Sequence, residues 1–420
     1  MTRCRAISPN GWSAADEIVS LPGTAPAGPV TEAFAGAQQL RIGPLGLAHP
    51  VVLAPMAGVT NVAYRRLCRE QAEAGGSGLR PSGLFVCEMI TSRGIVERIP
   101  KTFDMLRFDA DEPVRSVQLY GVDPAVIGEA TRILCAELGV QHVDLNFGCP
   151  VPKVTRRGGG GVLPWKRDRL AALLRAAVAA AEPYGVPVTM KTRLGIDPEH
   201  LTYLDAGRIA EDAGCAAIAL HGRTVVQAYS GQANWDAIGE LVEAVSIPVL
   251  GNGDIWEASD ALAMVAATGC AGVVVGRGCL GRPWLFRDLS DAFAGLRRRA
   301  LPNLGEVAQM VRRHAELLAA IEGERHGLTE LRKHMAWYFK GFPIGGDLRR
   351  GLAMVSGFAE LDDLLGQLNG VAAFPVGELG TPRGRQGGPR SRVVLPYGWL
   401  DDPCLGDADI SAAEDDASGG

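Results

Sequence analysis

The sequence predicts a (β/α)8 TIM barrel followed by a small all-helical domain. Three observations lead there. Eight short runs rich in β-branched residues recur between Val51 and Gly278, and most are followed by an Ala- and Leu-rich amphipathic stretch. Residues 300–372 then lose the strands and keep only helical periodicity. Strand-helix alternation implies a parallel sheet, and eight units in roughly 250 residues are what barrel closure needs. A doubly wound open sheet competes, but eight units of similar length favour closure.

Taken in order, residues 1–40 lack sustained periodicity and are rich in Ala, Gly and Pro ("SLPGTAPAGPVTEAFAGAQQL"), which reads as a flexible extension. Residues 41–295 carry the barrel strands "VVLAPMAG", "LFVCEMI", "RSVQLYG", "HVDLNFGC", "PVTMKTR", "AIALHGR", "IPVLGNGD" and "AGVVVGRG". Helices follow in "LGEVAQMVRRHAELLAAIEGE", "GLTELRKHMAWYFKGF" and "LRRGLAMVSGFAELDDLLGQL". Residues 373–420, including "GELGTPRGRQGGPRSR", are polar and Gly-rich and read as a flexible tail.

Composition narrows the function. The chain of 420 residues is 47% hydrophobic, enough for a substantial core. It has no apolar run near the roughly 18 residues of a membrane span and no secretory signal, so a cytoplasmic, membrane-free protein is expected. Nine scattered cysteines argue against a disulfide framework, and no Cys/His cluster suggests a metal site. The net charge of −5 conceals segregation: residues 296–350 carry eleven Lys or Arg against six Asp or Glu. No protein partner is implied, and a monomer is expected.

In such barrels the chemistry sits at the C-terminal strand ends. Those ends read Met56 and Ala57, then Glu88, Gln118, Asn146 with Cys149, Lys191 with Arg193, His221 with Arg223, Asn252 with Gly253 and Asp254, and Gly276 with Arg277. The glycines of "GNGDI" and "GRGCLGR" let backbone N–H groups approach a phosphate after strands seven and eight, and Arg277 adds a cation. No early G-x-G-x-x-G follows a strand, so a mononucleotide such as FMN fits better than a dinucleotide. Lys191 then suits the flavin's N1–C2 edge, where it would stabilise the reduced ring; a salt bridge to Glu88 or Asp144 is its structural alternative. Gln118 suits the flavin edge or nearby backbone groups, whereas His142, near the start of its strand, reads as structural.

These residues carry a resemblance. "APMAGVTNVAYRRLC", "VQLYG", "VDLNFGCPVPKV", "MKTRLG", "HGRTVVQAYSG", "GNGDI" and "GRGCLGRPWLF" together resemble the bacterial tRNA-dihydrouridine synthases, closest to the B-type branch, from Gly43 to Leu368. The resemblance implies an FMN enzyme that uses NADPH to reduce the C5–C6 double bond of particular uridines in tRNA. It implies that Pro55, Met56, Ala57, Gln118, Lys191, His221, Asn252, Gly253, Asp254, Gly276 and Arg277 hold FMN. Cys149 would be the proton donor: hydride delivery to C6 leaves carbanion character at C5, and a thiol with a pKa near ~8.5 is protonated at neutral pH yet acidic enough to donate. The run "TRRGGGGVL" departs from the family pattern and predicts an unusually mobile loop.

The basic helical domain is the expected tRNA-binding surface, with Arg332 and Lys333 in a segment that mixes cations and aromatics. Trp337, Tyr338 and Phe339 are consecutive, so at least one belongs to the core. A target uridine must leave its stack to reach the barrel mouth. Asn146, Arg193 and Arg223 are the candidates to meet it there. Two other readings use the same residues: a dihydroorotate dehydrogenase-like FMN barrel acting on a small molecule, and a noncatalytic RNA-binding protein.

Overall fold

The computed structural model describes residues 39–404, apart from 77, 79, 390 and 391. An antiparallel hairpin, β1 (Leu40–Ile42) and β2 (Leu45–Leu47), precedes the barrel, and Gly43 turns it with φ of 56°. The eight expected strands follow: β3 (Val51–Leu53), β4 (Leu84–Thr91), β5 (Ser116–Tyr120), β6 (His142–Phe147), β7 (Val188–Arg193), β8 (Ala217–His221), β9 (Val249–Asn252) and β10 (Gly272–Val275). They pair in parallel in chain order, and β10 closes the barrel against β3. The hairpin plugs the N-terminal end. Its Leu40, Ile42 and Leu47 are buried with Val52, Ala54, Val86, Ala219 and Val274, each burial contributing about 1.5–3 kcal/mol. Three-residue strands around a Gly-Pro turn are too short to show a period, so the hairpin is not legible in the sequence. Residues 1–38 of the expected extension lie outside the described residues.

Four helices follow the barrel: Leu304–Glu322, Glu324–Tyr338, Gly346–Leu352 and Phe358–Gly366. Asn303 starts the first with a reciprocal cap, its Oδ1 accepting from the Glu306 N–H at 2.9 Å while the Glu306 carboxylate accepts from the Asn303 N–H at 2.8 Å. Tyr338 and Phe339 are core, whereas Trp337 is half-buried and reaches the barrel mouth. The helix Glu324–Tyr338 approaches the loop after β10 closely enough that a Cβ on Gly281 would lie 2.3 Å from the Trp337 carbonyl carbon.

The same interface buries two histidines. His314 and His334 stack edge to face with ring centroids 4.6 Å apart, beside Tyr64 of the helix Val62–Ala74. His314 accepts or donates one bond with the Tyr338 hydroxyl, and neither ring nitrogen of His334 has a partner among the described residues. Burial holds His314 at about 3 and His334 well below its usual value, as it holds His142 at about 3 inside the barrel.

Residues 373–404 differ from the expected flexible tail. Phe374, Arg383, Val393 and Trp399 are buried. The segment is a strap across the barrel mouth: the Gly380 N–H donates to Glu257 at 2.8 Å, Lys340 donates to the Thr381 hydroxyl at 2.9 Å, and the Trp399 indole N–H donates to the Val162 carbonyl at 3.2 Å. Low overall hydropathy concealed this, because a few widely spaced apolar anchors suffice when the surface beneath is already folded. Glu257 joins the parts: it caps the helix Ala258–Thr268, pairs with Arg282 at 2.9 and 3.0 Å and with Arg299 at 2.8 Å, and these bonds overcome its burial to hold its carboxyl at about 2.

Three of the buried histidines, His142, His314 and His334, contribute to the acid response. Each is neutral when folded and binds a proton near pH 6.5 when unfolded, so stability is full above that pH and is lost as pH falls towards about 3. The loss is about 1.4 kcal/mol per pH unit for each histidine. Urea unfolding at a series of pH values should show this slope, and His334→Leu should reduce it by one proton's worth; an unaltered slope would count against the assignment.

Candidate active site

Period-two alternation points His142, Asp144 and Asn146 of β6 to one side, and the register sets Asp144 beside Gln118 of β5 and Thr189 of β7. The result is a continuous hydrogen-bonded ladder inside the barrel. The Ser116 hydroxyl bonds His142 Nδ1 at 2.7 Å, and His142 Nε2 bonds Thr189 Oγ1 at 3.0 Å. Thr189 donates to Asp144 Oδ1 at 2.6 Å, Gln118 Nε2 donates to Asp144 Oδ2 at 2.6 Å, and Asn146 Nδ2 donates to Gln118 Oε1 at 2.7 Å. Because the Thr189 proton is spent on Asp144, it must accept from Nε2–H, which assigns the His142 tautomer. His142 is thus structural, in keeping with its place near the strand start.

The top of the ladder shapes the cysteine turn. Asn146 Oδ1 accepts from the Gly148 N–H at 3.0 Å and the Cys149 N–H at 2.9 Å. Asn146 is the penultimate residue of β6, and its amide satisfies a backbone turn on one side and the interior ladder on the other. The glycine-rich run after it is close-packed, which differs from the mobile loop expected. A Cβ on Gly160 would stand 2.6 Å from the Cys149 carbonyl oxygen, and one on Gly158 would stand 2.4 Å from the Trp399 ring.

A cavity of about 430 Å³ opens at this end of the barrel. It is lined by every residue expected to hold FMN, together with Asn146, Cys149 and Arg193. Lys191 sits on its floor and makes no hydrogen bond to a described residue. Burial and the neighbouring Arg193 lower its ammonium to about 7, against the opposing pull of Asp144. Burial raises the Asp144 carboxyl despite its two donors. His221 is driven well below its usual value by burial and by the cations Arg193, Lys191, Arg223 and Arg277, so it is a neutral acceptor or donor. Arg277 lies over the rings of Tyr229, at 4.4 Å, and Trp256, at 5.1 Å. The mouth therefore carries excess positive charge, since Asp254 is already bound by Arg223 at 2.8 Å through both oxygens and by the Ala233 N–H at 2.7 Å.

Several expected substrate contacts have other work. Asn146 uses both ends of its amide inside the fold. Arg223 is buried, does not line the cavity, and donates to Asp254 and to the Ser230 and Gly231 carbonyls at 3.0 and 2.7 Å. Arg193 reaches the cavity, but its Nε holds the Gly148 carbonyl at 2.8 Å and its Nη1 holds the Thr224 and Ala228 carbonyls. Arg332 donates to the Val355 carbonyl at 2.7 Å, away from the cavity, while exposed Lys333 pairs with Glu330 and stands near Gly58 at the rim. Sequence reasoning missed Met89, Tyr229, Trp256, Trp337 and Arg385, which also line the cavity. The first four looked like core or loop residues, and Arg385 belongs to the supposed tail.

Comparison with known proteins bears on this arrangement. The profile of the dihydrouridine synthase (Dus) family matches residues 52–370, from the second residue of β3 through the other seven barrel strands and all four helices of the C-terminal region. The chain belongs to the dihydrouridine synthase family. Among its relatives, a probable tRNA-dihydrouridine synthase of Mycobacterium tuberculosis is 58% identical over 367 residues, covering 87% of this chain and 93% of the relative. One from Mycobacterium leprae is 55% identical over 370 residues, covering 84% and 96%. A tRNA-dihydrouridine synthase B of Pseudomonas putida is 35% identical over 335 residues, covering 80% and 94%. Membership in this family favours the first of the three readings drawn from the sequence.

The ladder predicts a cost for cutting its top rung. Asn146→Ala leaves Gln118 and two turn amides without their partner, and we expect a loss of about 3 kcal/mol. Urea unfolding measures the loss, and hydrogen exchange at the Cys149 amide should accelerate. Unchanged exchange would show that the turn holds its shape without Asn146.

Proposed function

We propose that this chain reduces the C5–C6 double bond of uridines in tRNA, with FMN bound in the barrel mouth and NADPH as the reductant. The observation that carries the reading is the Cys149 turn, fixed by Asn146 at the edge of a cation-rich cavity in a dihydrouridine synthase barrel. The residues fit FMN. Lys191 presents an ammonium with no hydrogen-bond or ion-pair partner among the described residues, and a Cβ on Gly276 would stand 3.6 Å from Ala54 Cβ and 3.9 Å from Met56 Sδ, so the missing side chain leaves the cavity wall open. The cavity falls within the size range of cofactor sites.

Pro55, Met56 and Ala57, Gln118, Lys191, His221, the Asn252–Gly253–Asp254 turn, and Gly276 with Arg277 would hold the cofactor. Asn252 and Asp254 use side-chain atoms on the Val274 carbonyl and on Arg223, and the Asn252 carbonyl accepts from the Gly222 N–H at 3.0 Å, so these bonds fix the turn against which a ligand would lie. When bound, FMN supplies the hydride that reaches C6 of the uracil ring. Cys149 gives its thiol proton to C5, and the Asn146-capped turn holds the sulfur at the mouth for that transfer. Lys191 offsets negative charge within the site. Neutral His221 adds a hydrogen bond without adding to the cation excess.

For tRNA, the helical region offers less free charge than its composition suggests. Arg312 pairs with Glu316 and Asp362, Arg313 with Glu70, Lys340 with Glu378 and Arg350 with Asp347, while Arg349 binds two carbonyls. Exposed Arg297, Arg298 and Arg325 have no acid partner among the described residues and are the better phosphate contacts.

Three results test the reading. Anaerobic reduction by NADPH followed by tRNA lacking dihydrouridine should restore the oxidised-flavin absorbance and form dihydrouridine; a reduced flavin indifferent to tRNA would point to a small-molecule substrate instead. Cys149→Ala should keep FMN and react with NADPH but slow single-turnover uridine reduction by about 100-fold or more. Normal single-turnover reduction in that variant would remove Cys149 from the role. Because Lys191 is a cation only below about 7, FMN affinity should weaken as pH rises through that value, and Lys191→Met should abolish the trend; a pH trend that survives the substitution would assign it to another group.

A further inference from the structure

The strap reaches the same cavity from outside the family match. Arg385 is exposed, lines the cavity, and its guanidinium has no acid or carbonyl partner among the described residues. Its backbone is held at successive residues. The preceding Arg383 is buried and donates to the Leu280 carbonyl at 3.3 Å and the Trp337 carbonyl at 3.0 Å, one from the loop after β10 and one from the helical region. Gly384, with φ of 70°, lies so close to Leu280 that a Cβ would come within 2.6 Å of its Cδ1. The Arg385 carbonyl accepts from Arg277 Nη1 at 2.9 Å.

The strap is also pinned beyond the cavity. Trp399 fills the space above Gly158, and Lys166 lies over its ring at 5.0 Å and donates to the Asp402 carbonyl. Two features without a place in the family pattern, the glycine run and the tail, therefore account for each other: the missing side chain at 158 is the seat for Trp399. A segment fixed on both sides of an unpartnered guanidinium is a means of presenting that charge, whereas burial of the anchors alone would not need an arginine at the rim.

We infer that the strap adds a binding residue to the site: the Arg385 guanidinium takes a phosphate at the cavity mouth, either the cofactor's monoester or a phosphodiester of the RNA substrate. This rests on the reading above. Arg277 already stands at this end with its Nη1 bound to the Arg385 carbonyl, so a phosphate there meets two guanidiniums whose relative positions are coupled by that bond. Bidentate geometry suits arginine over lysine.

The test uses full-length Arg385→Gln and Arg385→Lys, with FMN dissociation followed by flavin fluorescence and tRNA turnover followed at saturating NADPH. We expect Arg385→Gln to raise one of two constants by about 10-fold, with kcat and the thermal midpoint little changed. A raised FMN Kd assigns the phosphate to the cofactor; a raised tRNA KM with unchanged FMN Kd assigns it to RNA. Arg385→Lys should recover part of the loss, which a purely structural role would not predict. If the wild-type enzyme binds FMN and turns over while Arg385→Gln matches it in both constants, the inference is wrong and the functional reading stands. A wild-type chain that holds no FMN overturns the functional reading and the inference with it.

Discussion

A polar chain through the barrel interior, from Ser116 to the Cys149 turn, is the constraint on which the rest of the structure depends. Most barrels fill this space with branched apolar side chains. Here each polar group has its partner supplied by the neighbouring strand, and the demand is strict because an unsatisfied group in this interior costs about 1–3 kcal/mol. One strand slipped by one residue would turn His142, Asp144 and Asn146 outward and leave Gln118 and Thr189 unpaired. Register and site geometry are thus one problem. The interactions that hold β5, β6 and β7 in alignment are those that shape the turn carrying the cysteine.

Above the ladder the balance shifts from hydrogen bonding to charge. Lys191, Arg193 and Arg277 meet at one mouth, and the nearby carboxylates are committed: Asp144 to Thr189 and Gln118, Asp254 to Arg223 and Ala233. Such an arrangement is costly: burial first, and the neighbouring cations Arg193 and Arg223 after it, lower Lys191 and Arg277. An anionic ligand would relieve that cost. His221 escapes the conflict by staying neutral.

The helical region and the strap make a second tier around the mouth. Glu257 holds the helix after β9, the loop after β10 and the start of the strap through one carboxylate, so movement in one part is transmitted to the others. The apolar contact beneath it is sealed by the His314, His334 and Tyr338 rings. Through Trp337 and Arg385 this tier also contributes to the cavity wall, which gives a barrel enzyme of this family a site drawn from three successive parts of the chain.

Much of this was legible in the sequence. Eight β-branched runs with glycine and proline punctuation specify the strands, because strand formation and strand ends are set locally. The strand-end polar residues follow from a period of two, and the combination of "NFGCP" with "HGRT" carries the family. What tertiary structure alone decided is which polar groups are spent and which are available. Nothing local distinguishes Lys191, which has no hydrogen-bond partner among the described residues, from Arg223, which has several, or separates Asn146 as a positioning residue from a substrate contact. The strap is the clearest case: its composition reads as a linker, yet Arg383 and Trp399 are buried because they dock on residues far off in sequence, Leu280 lying 103 positions from Arg383 and Val162 237 positions from Trp399. Local physics determines the backbone elements; partnership and burial depend on what the closed barrel brings alongside, and no window along the chain contains that information.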